Sequence, residues 1–134
     1  MAISLPSKHR NFLRYWLPII VYCLFIFIQS SYPSPDQLPR VTHLDKLLHV
    51  IAYACLGALL LRAFNTIRIQ NNLKLIIALS IILSSLYGIS DEIHQHFVPY
   101  RNADVVDAFM DAIGSVVGVY AYQFFVARHT EASK

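Results

Sequence analysis

Four long apolar runs, separated by short polar segments, dominate the chain. They cover residues 12–29, 44–64, 73–92 and 103–127. Each run is close to the roughly 20 residues that an α-helix needs to cross about 30 Å of hydrocarbon. Lipid offers no partner to an open backbone group, so each crossing is predicted to be helical. The pattern therefore predicts an all-α, four-helix transmembrane bundle that forms a single domain over residues 1–134.

The composition agrees with a membrane protein. Hydrophobic residues make up 56% of the 134 residues and charged residues only 14%, whereas soluble domains have about 45–50% and about 25%. This balance argues against a soluble enzyme, a secreted disulfide scaffold and a nucleic-acid-binding module. Both cysteines, Cys23 and Cys55, fall inside apolar runs. We expect two buried thiols that act as small hydrophobic side chains.

Charge is divided unevenly between the two predicted membrane surfaces. The segments that share a side with the N-terminus carry eight basic residues and one acid, a balance of +7. The other side carries three basic residues and seven acids, so the net charge is +3. Basic residues concentrate on the cytoplasmic side of membrane proteins, which predicts that both termini are cytoplasmic. The positive charge is therefore a topology signal, and no nucleic-acid partner is expected.

Ionisable and polar residues enter the last three apolar runs near the same predicted surface. In the second and fourth runs they recur at spacings of three or four, which places them on one face of a helix. The third run ends in an acid pair, and a polar loop over residues 94–102 follows it. The residues are Asp45, Lys46, His49 and Tyr53 in the second run; Asp91, Glu92 and Gln95 near the end of the third; Arg101 in the loop; and Asp104, Asp107 and Asp111 in the fourth.

Burial in lipid makes these residues informative. A charged side chain at the centre of a span costs about 2.5–3.5 kcal/mol on insertion scales, so such residues face a protein interior and pair with one another. Gly114 and Gly118, in the string GSVVG, and Ala54 and Ala58 offer small surfaces for close helix contact. Together these features predict a polar pocket that opens toward the outer leaflet.

Three strings carry a family resemblance: DKLLHVIAYACLGALL (residues 45–60), YGISDEIHQHFVPYR (87–101) and DVVDAFMDAIGSVVG (104–118). They resemble the VanZ-like family of small bacterial membrane proteins. The second string is the most specific, because topology alone does not require DE-x-x-Q followed by F-x-P-x-R. The matching positions are Lys46, His49, Tyr53, Leu56, Tyr87, Gly88, Asp91, Glu92, Gln95, Phe97, Pro99, Arg101, Asp107, Gly114 and Gly118.

The resemblance implies a multi-pass protein of the bacterial inner (cytoplasmic) membrane that acts in the cell envelope. The member that gives the family its name is linked to low-level resistance to the glycopeptide teicoplanin. This chain departs from the family pattern at two positions. Tyr100 precedes the arginine where the family usually has glycine, and Asp111 stands where the family usually has asparagine. The second change adds a carboxylate to the predicted pocket.

A binding protein is the first functional hypothesis. The pocket would engage a membrane lipid headgroup, a lipid-linked envelope precursor or a lipoglycopeptide. Arg101 and Lys46 could hold an anionic group, with the arginine binding in two-pronged fashion. The candidate ligand-binding residues are Asp45, Lys46, Tyr53, Gln95, Arg101, Asp107 and Asp111.

Other hypotheses stay open beside it. An intramembrane enzyme could use His49, paired with Asp45, as a base and Glu92 as a proton donor, with Asp91 as a further catalytic candidate. A purely structural role is possible for Glu92 if Arg101 pairs with it. A small transporter would suit the buried acids, yet the inner halves of the spans are almost free of polar residues. A path formed by an oligomer, and a partner-binding structural protein, also remain alternatives.

The sequence assigns no metal and no cofactor. Neither HExxH nor a Cys/His set of known spacing is present. A metal held by Glu92, His96, His49 and the aspartates is kept as an alternative.

Overall fold

The computed structural model describes residues 10–32, 42–67, 72–99, 101 and 103–132, and the statements below concern these residues. Four α-helices follow one another: α1 (Leu17–Ser31), α2 (Thr42–Phe64), α3 (Leu73–His96) and α4 (Val105–Ala132). A π-helical turn, Phe12–Trp16, precedes α1.

The helices match the predicted crossings. Four segments are long and apolar enough to cross a membrane: Phe12–Ser31, Leu44–Phe64, Leu73–His96 and Val105–Arg128. The described part of the chain contains no strand. The predicted all-α, four-span architecture is therefore confirmed.

Close packing between α2 and α4 forms the centre of the bundle. Gly114 lies against the backbone carbonyl of Val50, and Gly118 lies against that of Ala54. A Cβ atom at either glycine would overlap these carbonyl groups. The small residues of GSVVG thus allow the two backbones to touch, as the sequence pattern predicted.

Helix α1 is attached less extensively than the other three. Only Ile19, Ile26 and Ser30 are buried in it. Two tyrosine hydroxyls help to hold it: Tyr22 donates to the carbonyl of Ala52 on α2, and Tyr87 of α3 donates to the carbonyl of Cys23. Most of the other apolar side chains of α1 are exposed, where a bilayer would contact them.

Two sequence predictions are wrong. Helix α3 continues to His96, so residues 94–96 are helical and not part of a loop. The reason is that Gln95 stays in register with Asp91, one turn earlier, and donates to its carboxylate. Cys55 is exposed on α2 and Cys23 is only half-buried, so these thiols do not both pack in the core. Cys55 instead belongs to the apolar surface that lipid covers.

The carboxyl ends of α1 and α3 meet the amino ends of α2 and α4. We call this the polar end of the bundle. The predicted orientation, with both termini in the cytoplasm, remains a prediction. Several charged residues on which it depends lie outside the described residues: Lys8, Asp36, Arg40, Arg68 and Lys134.

Candidate functional site

An ion pair joins α2 to the start of α4 at the polar end. The Lys46 ammonium donates to Asp104 Oδ2 at 2.7 Å and also to Asp107 Oδ1. Asp104 caps α4, because its Oδ1 accepts the backbone N–H of Val106 at 2.8 Å. The hydrogen bond from Lys46 lowers the pKa of Asp104 below its ordinary value. Lys46 is therefore occupied by two carboxylates of its own chain.

Arg101 fastens the segment before α4 to the end of α1. Its Nε donates to the carbonyl of Tyr32 and its Nη2 to that of Gln29, each at 3.1 Å. Its Nη1 donates to Gln95 Oε1 at 3.3 Å. An arginine so placed satisfies carbonyls that the last turn of a helix leaves open.

Glu92 bonds to a backbone group and not to Arg101. Its Oε2 accepts the N–H of Asp104 at 2.9 Å. Within the described residues the salt bridges involve Lys46 and His49 only, so the alternative in which Arg101 pairs with Glu92 is not formed.

Asp91 is a buried acid whose two oxygens both have partners. Ser30 of α1 donates to Oδ1 at 2.6 Å, and Gln95 Nε2 donates to Oδ2 at 3.0 Å. The carboxylate is only 5% exposed. Asp91 therefore connects α1 to α3 and anchors the amide that Arg101 also uses.

His49 pairs with Asp111 and not with Asp45. Its Nδ1 lies 2.9 Å from Asp111 Oδ1, and Asp111 is completely buried between α2, α3 and α4. Asp45 is exposed at the start of α2. The predicted pairing within one helix is thus replaced by a pairing between helices.

Three buried polar atoms at this end have no hydrogen-bond partner among the described residues: Glu92 Oε1, Asp111 Oδ2 and the Tyr53 hydroxyl. Buried polar groups are nearly always hydrogen-bonded, because an unpaired one costs about 1–3 kcal/mol. Each of the three atoms therefore needs an explanation.

A cavity of about 160 Å³ lies beside these groups, between α1, α2 and α3. Its polar wall includes Tyr53, whose hydroxyl is unpartnered. Its apolar wall includes Phe25 of α1 and Leu48 of α2, which are 60% and 56% exposed on the outer surface of the bundle. The cavity thus connects a polar interior with the surface that acyl chains would cover. Its lining consists of Phe25, Ile26, Gln29, Ser30, Asp45, Leu48, His49, Ala52, Tyr53, Asp91, Gln95 and Arg101.

Two groups of side chains could hold a metal ion, and in each group one ligand atom per residue lies within 4.8 Å of the others. One group is Asp45, His49 and Asp107, and the other is His49, Glu92 and Asp111. His96, which the sequence-based metal alternative included, is exposed at the end of α3 and belongs to neither group.

Sequence reasoning missed several polar residues that the structure places at or near the site. Ser30 binds Asp91. His94 bonds to Ser31 at 2.9 Å and stacks on Phe27. Serines mid-helix bond readily to carbonyls of their own helix, so they give little signal in a sequence. Deeper in the bundle, the hydroxyls of Ser84 and Ser115 lie 2.8 Å apart.

The fold and the site define a class: a small multi-pass membrane protein with a buried, acid-rich polar cluster at one end of a four-helix bundle. The chain belongs to the VanZ/LLP1 family, whose sequence model matches residues 12–126. The predicted family membership is thereby confirmed. Neither the curated proteins nor the solved structures provide a significant match to this chain.

Proposed function

We propose that this protein binds a membrane amphiphile of the cell envelope, with the polar headgroup in the cavity and the acyl chains outside. A single observation carries the proposal. The cavity combines a polar wall that includes His49 with a rim formed by the lipid-facing side chains of Phe25 and Leu48.

The size of the cavity supports a headgroup and not a whole lipid. Pockets that enclose drug-sized ligands measure roughly 300–1,000 Å³, whereas this cavity measures about 160 Å³. Bound in this way, a molecule would leave its apolar part between α1 and α2. The looser attachment of α1 suits such lateral access.

The charges of the lining favour a headgroup that donates hydrogen bonds. Asp45 contributes an exposed carboxylate to the cavity wall, whereas both oxygens of Asp91 are bonded within the protein. Lys46, the cation expected to hold an anionic group, is committed to Asp104 and Asp107. Three N–H groups of Arg101 already donate hydrogen bonds to carbonyl oxygens of the protein. An ammonium or a set of hydroxyls therefore fits better than a bare phosphate.

The test compares headgroups in vesicles of phosphatidylcholine, which has no headgroup donor. Trace phosphatidylethanolamine or diglucosyl diacylglycerol supplies ammonium or hydroxyl donors. We expect native mass spectrometry of the released protein to show enrichment of a donor lipid. Teicoplanin, an acylated glycopeptide, is added as a competitor; displacement would extend the ligand class to lipoglycopeptides. Equal retention of all headgroups would refute the proposal.

Two matched tyrosine variants assign the binding to the cavity. Tyr53→Phe removes only the unpartnered hydroxyl, so retention should fall by about five- to tenfold, the usual effect of one hydrogen bond. Tyr87→Phe removes a hydroxyl that bonds to the carbonyl of Cys23 and does not line the cavity. It should leave retention unchanged. Equal behaviour of the two variants would place any lipid elsewhere.

We further propose that the protein lies in the cytoplasmic membrane with both termini in the cytoplasm, so that the polar end faces outward. The excess of basic residues on the terminal side supports this orientation. A C-terminal fluorescent protein fusion should be bright and an alkaline phosphatase fusion inactive. The opposite result would reverse the orientation without affecting the lipid-binding test.

A further inference from the structure

We propose that His49, Glu92 and Asp111 form a binding site for a single divalent metal ion with mixed nitrogen and oxygen preference, such as Zn²⁺ or Mn²⁺. The three residues come from three different helices, α2, α3 and α4. The site lies beside the headgroup cavity and shares only His49 with its lining. It therefore does not depend on the proposed lipid ligand.

The carboxylates provide the first argument. Glu92 is 6% exposed and Asp111 is fully buried, and each has one oxygen without a hydrogen-bond partner. Both carboxylates belong to the group that includes His49, in which one oxygen of each acid lies within 4.8 Å of an imidazole nitrogen and of the other acid. Two open acid oxygens beside an imidazole, in a bundle surrounded by lipid, are a strong site for a cation.

The geometry provides the second argument. One ligand atom of each residue lies within 4.8 Å of the other two. Ligands bound to a metal at about 2.0–2.2 Å lie roughly 3.0–4.2 Å from each other. His49 Nδ1 and Asp111 Oδ1 are hydrogen-bonded at 2.9 Å, slightly closer than two ligands of one metal, so a bound ion would replace this hydrogen bond. Side-chain movements of well under 1 Å would complete the site.

The donor set indicates the kind of ion. Imidazole binds zinc and other transition metals well, while carboxylates alone favour magnesium, calcium or manganese. One imidazole with two carboxylates is a mixed set that resembles open, three-ligand zinc sites. A fourth position would remain for water or for a ligand group.

The neighbouring group formed by Asp45, His49 and Asp107 is the weaker candidate. Asp107 already accepts a hydrogen bond from Lys46, whose positive charge opposes a second cation. Asp45 is exposed. Neither acid has an oxygen that is both buried and unpartnered. The ion is therefore assigned to the group containing Glu92.

The experiment uses full-length protein, purified without a histidine tag and stripped with a chelator. Zn²⁺ is titrated calorimetrically, and Co²⁺ is used as a spectroscopic probe whose visible absorption reports a protein ligand set. We expect one equivalent of Zn²⁺ and a Co²⁺ band that Zn²⁺ displaces. Wild-type protein that binds no stoichiometric metal would overturn the proposal.

Matched variants locate the ion. Glu92→Gln and Asp111→Asn conserve shape but remove one charge each, so each should weaken binding at least tenfold and shift the Co²⁺ band. Asp91→Asn alters an equally buried acid whose two oxygens are already bonded to Ser30 and Gln95, and His96→Ala removes an exposed histidine. These two should bind like wild type. Loss of metal binding in the two control variants, or unchanged metal binding in both ligand variants, would contradict the assigned site.

Discussion

Replacing Gly118 by alanine tests the close packing of α2 against α4, which positions the residues of the polar end. The glycine lies on α4 where its backbone meets the carbonyl of Ala54 on α2, and a Cβ atom there would overlap that carbonyl. The obstacle is backbone, so no side-chain rotation relieves it. The two helices would have to separate along the seam that also holds His49 beside Asp111.

The expected cost follows from two opposing effects. Alanine is favoured over glycine within a helix by about 1 kcal/mol, while overpacking a tight contact costs about 1–3 kcal/mol. Because the clash is with backbone, the overpacking cost should be near its upper value of about 3 kcal/mol. After the gain in helix propensity, the free energy of unfolding should fall by about 2 kcal/mol, which is roughly thirtyfold in the unfolding equilibrium. Gly57→Ala should cost less, because its Cβ would lie 2.8 Å from the Ser115 carbonyl, 0.6 Å short of the 3.4 Å of ordinary contact.

The free energy of unfolding is measured by circular dichroism during titration of detergent micelles with sodium dodecyl sulfate. Val117→Ala, one residue earlier on α4, is the control because that side chain is 51% exposed on the outer surface. It should change the free energy by less than about 0.5 kcal/mol. If Gly118→Ala is as stable as this control, α2 and α4 do not meet at Gly118, and the packing argument fails.

Three further predictions concern single contacts. Lys46→Met removes the ammonium that lowers the pKa of Asp104, so carboxylate NMR should show that pKa rising toward its ordinary 3.8. In the wild type this pair stabilises the fold above the ordinary pKa, and its contribution disappears as pH falls through the lowered one; an unchanged pKa would exclude the pair. Arg101→Ala removes hydrogen bonds to the end of α1, so amide exchange there should rise about tenfold, and unaltered exchange would contradict the contact. Cys55 is exposed on the outer surface of α2, so Cys55→Ala should change the free energy of unfolding by less than about 0.5 kcal/mol; a larger loss would refute the placement.

The helices themselves could be predicted from the sequence because the bilayer imposes their length and their composition. A crossing needs a long apolar run with its backbone bonds closed internally, and such runs are visible without a structure. The end of α3 was harder to place. Residues 94–96 are polar and resemble a loop, yet Gln95 completes a helical contact with Asp91. A polar composition near the membrane surface does not by itself end a helix.

Membership of the polar cluster could also be inferred, but its pairings could not. Spacings of three and four residues identify side chains on one face of one helix. They do not state which residues of the next helix lie opposite. That depends on the rotation and depth at which α2 and α4 dock, and Gly114 and Gly118 set both through contacts with Val50 and Ala54.

His49 shows how the docking of two helices, and not spacing along one helix, decides which acid a histidine contacts. Along α2, the acid nearest to His49 by spacing is Asp45. The sequence alone would therefore predict that His49 acts as a base near the surface, with an exposed acid as its partner. The docking of α4 instead presents Asp111, one helical turn beyond Asp107 and fully buried. Asp111 is also a position where the family resemblance leads us to expect asparagine. An additional carboxylate at the least exposed point of the cluster, with one oxygen unpartnered, adds a negative charge beside His49, and the proposed cation site depends on that charge.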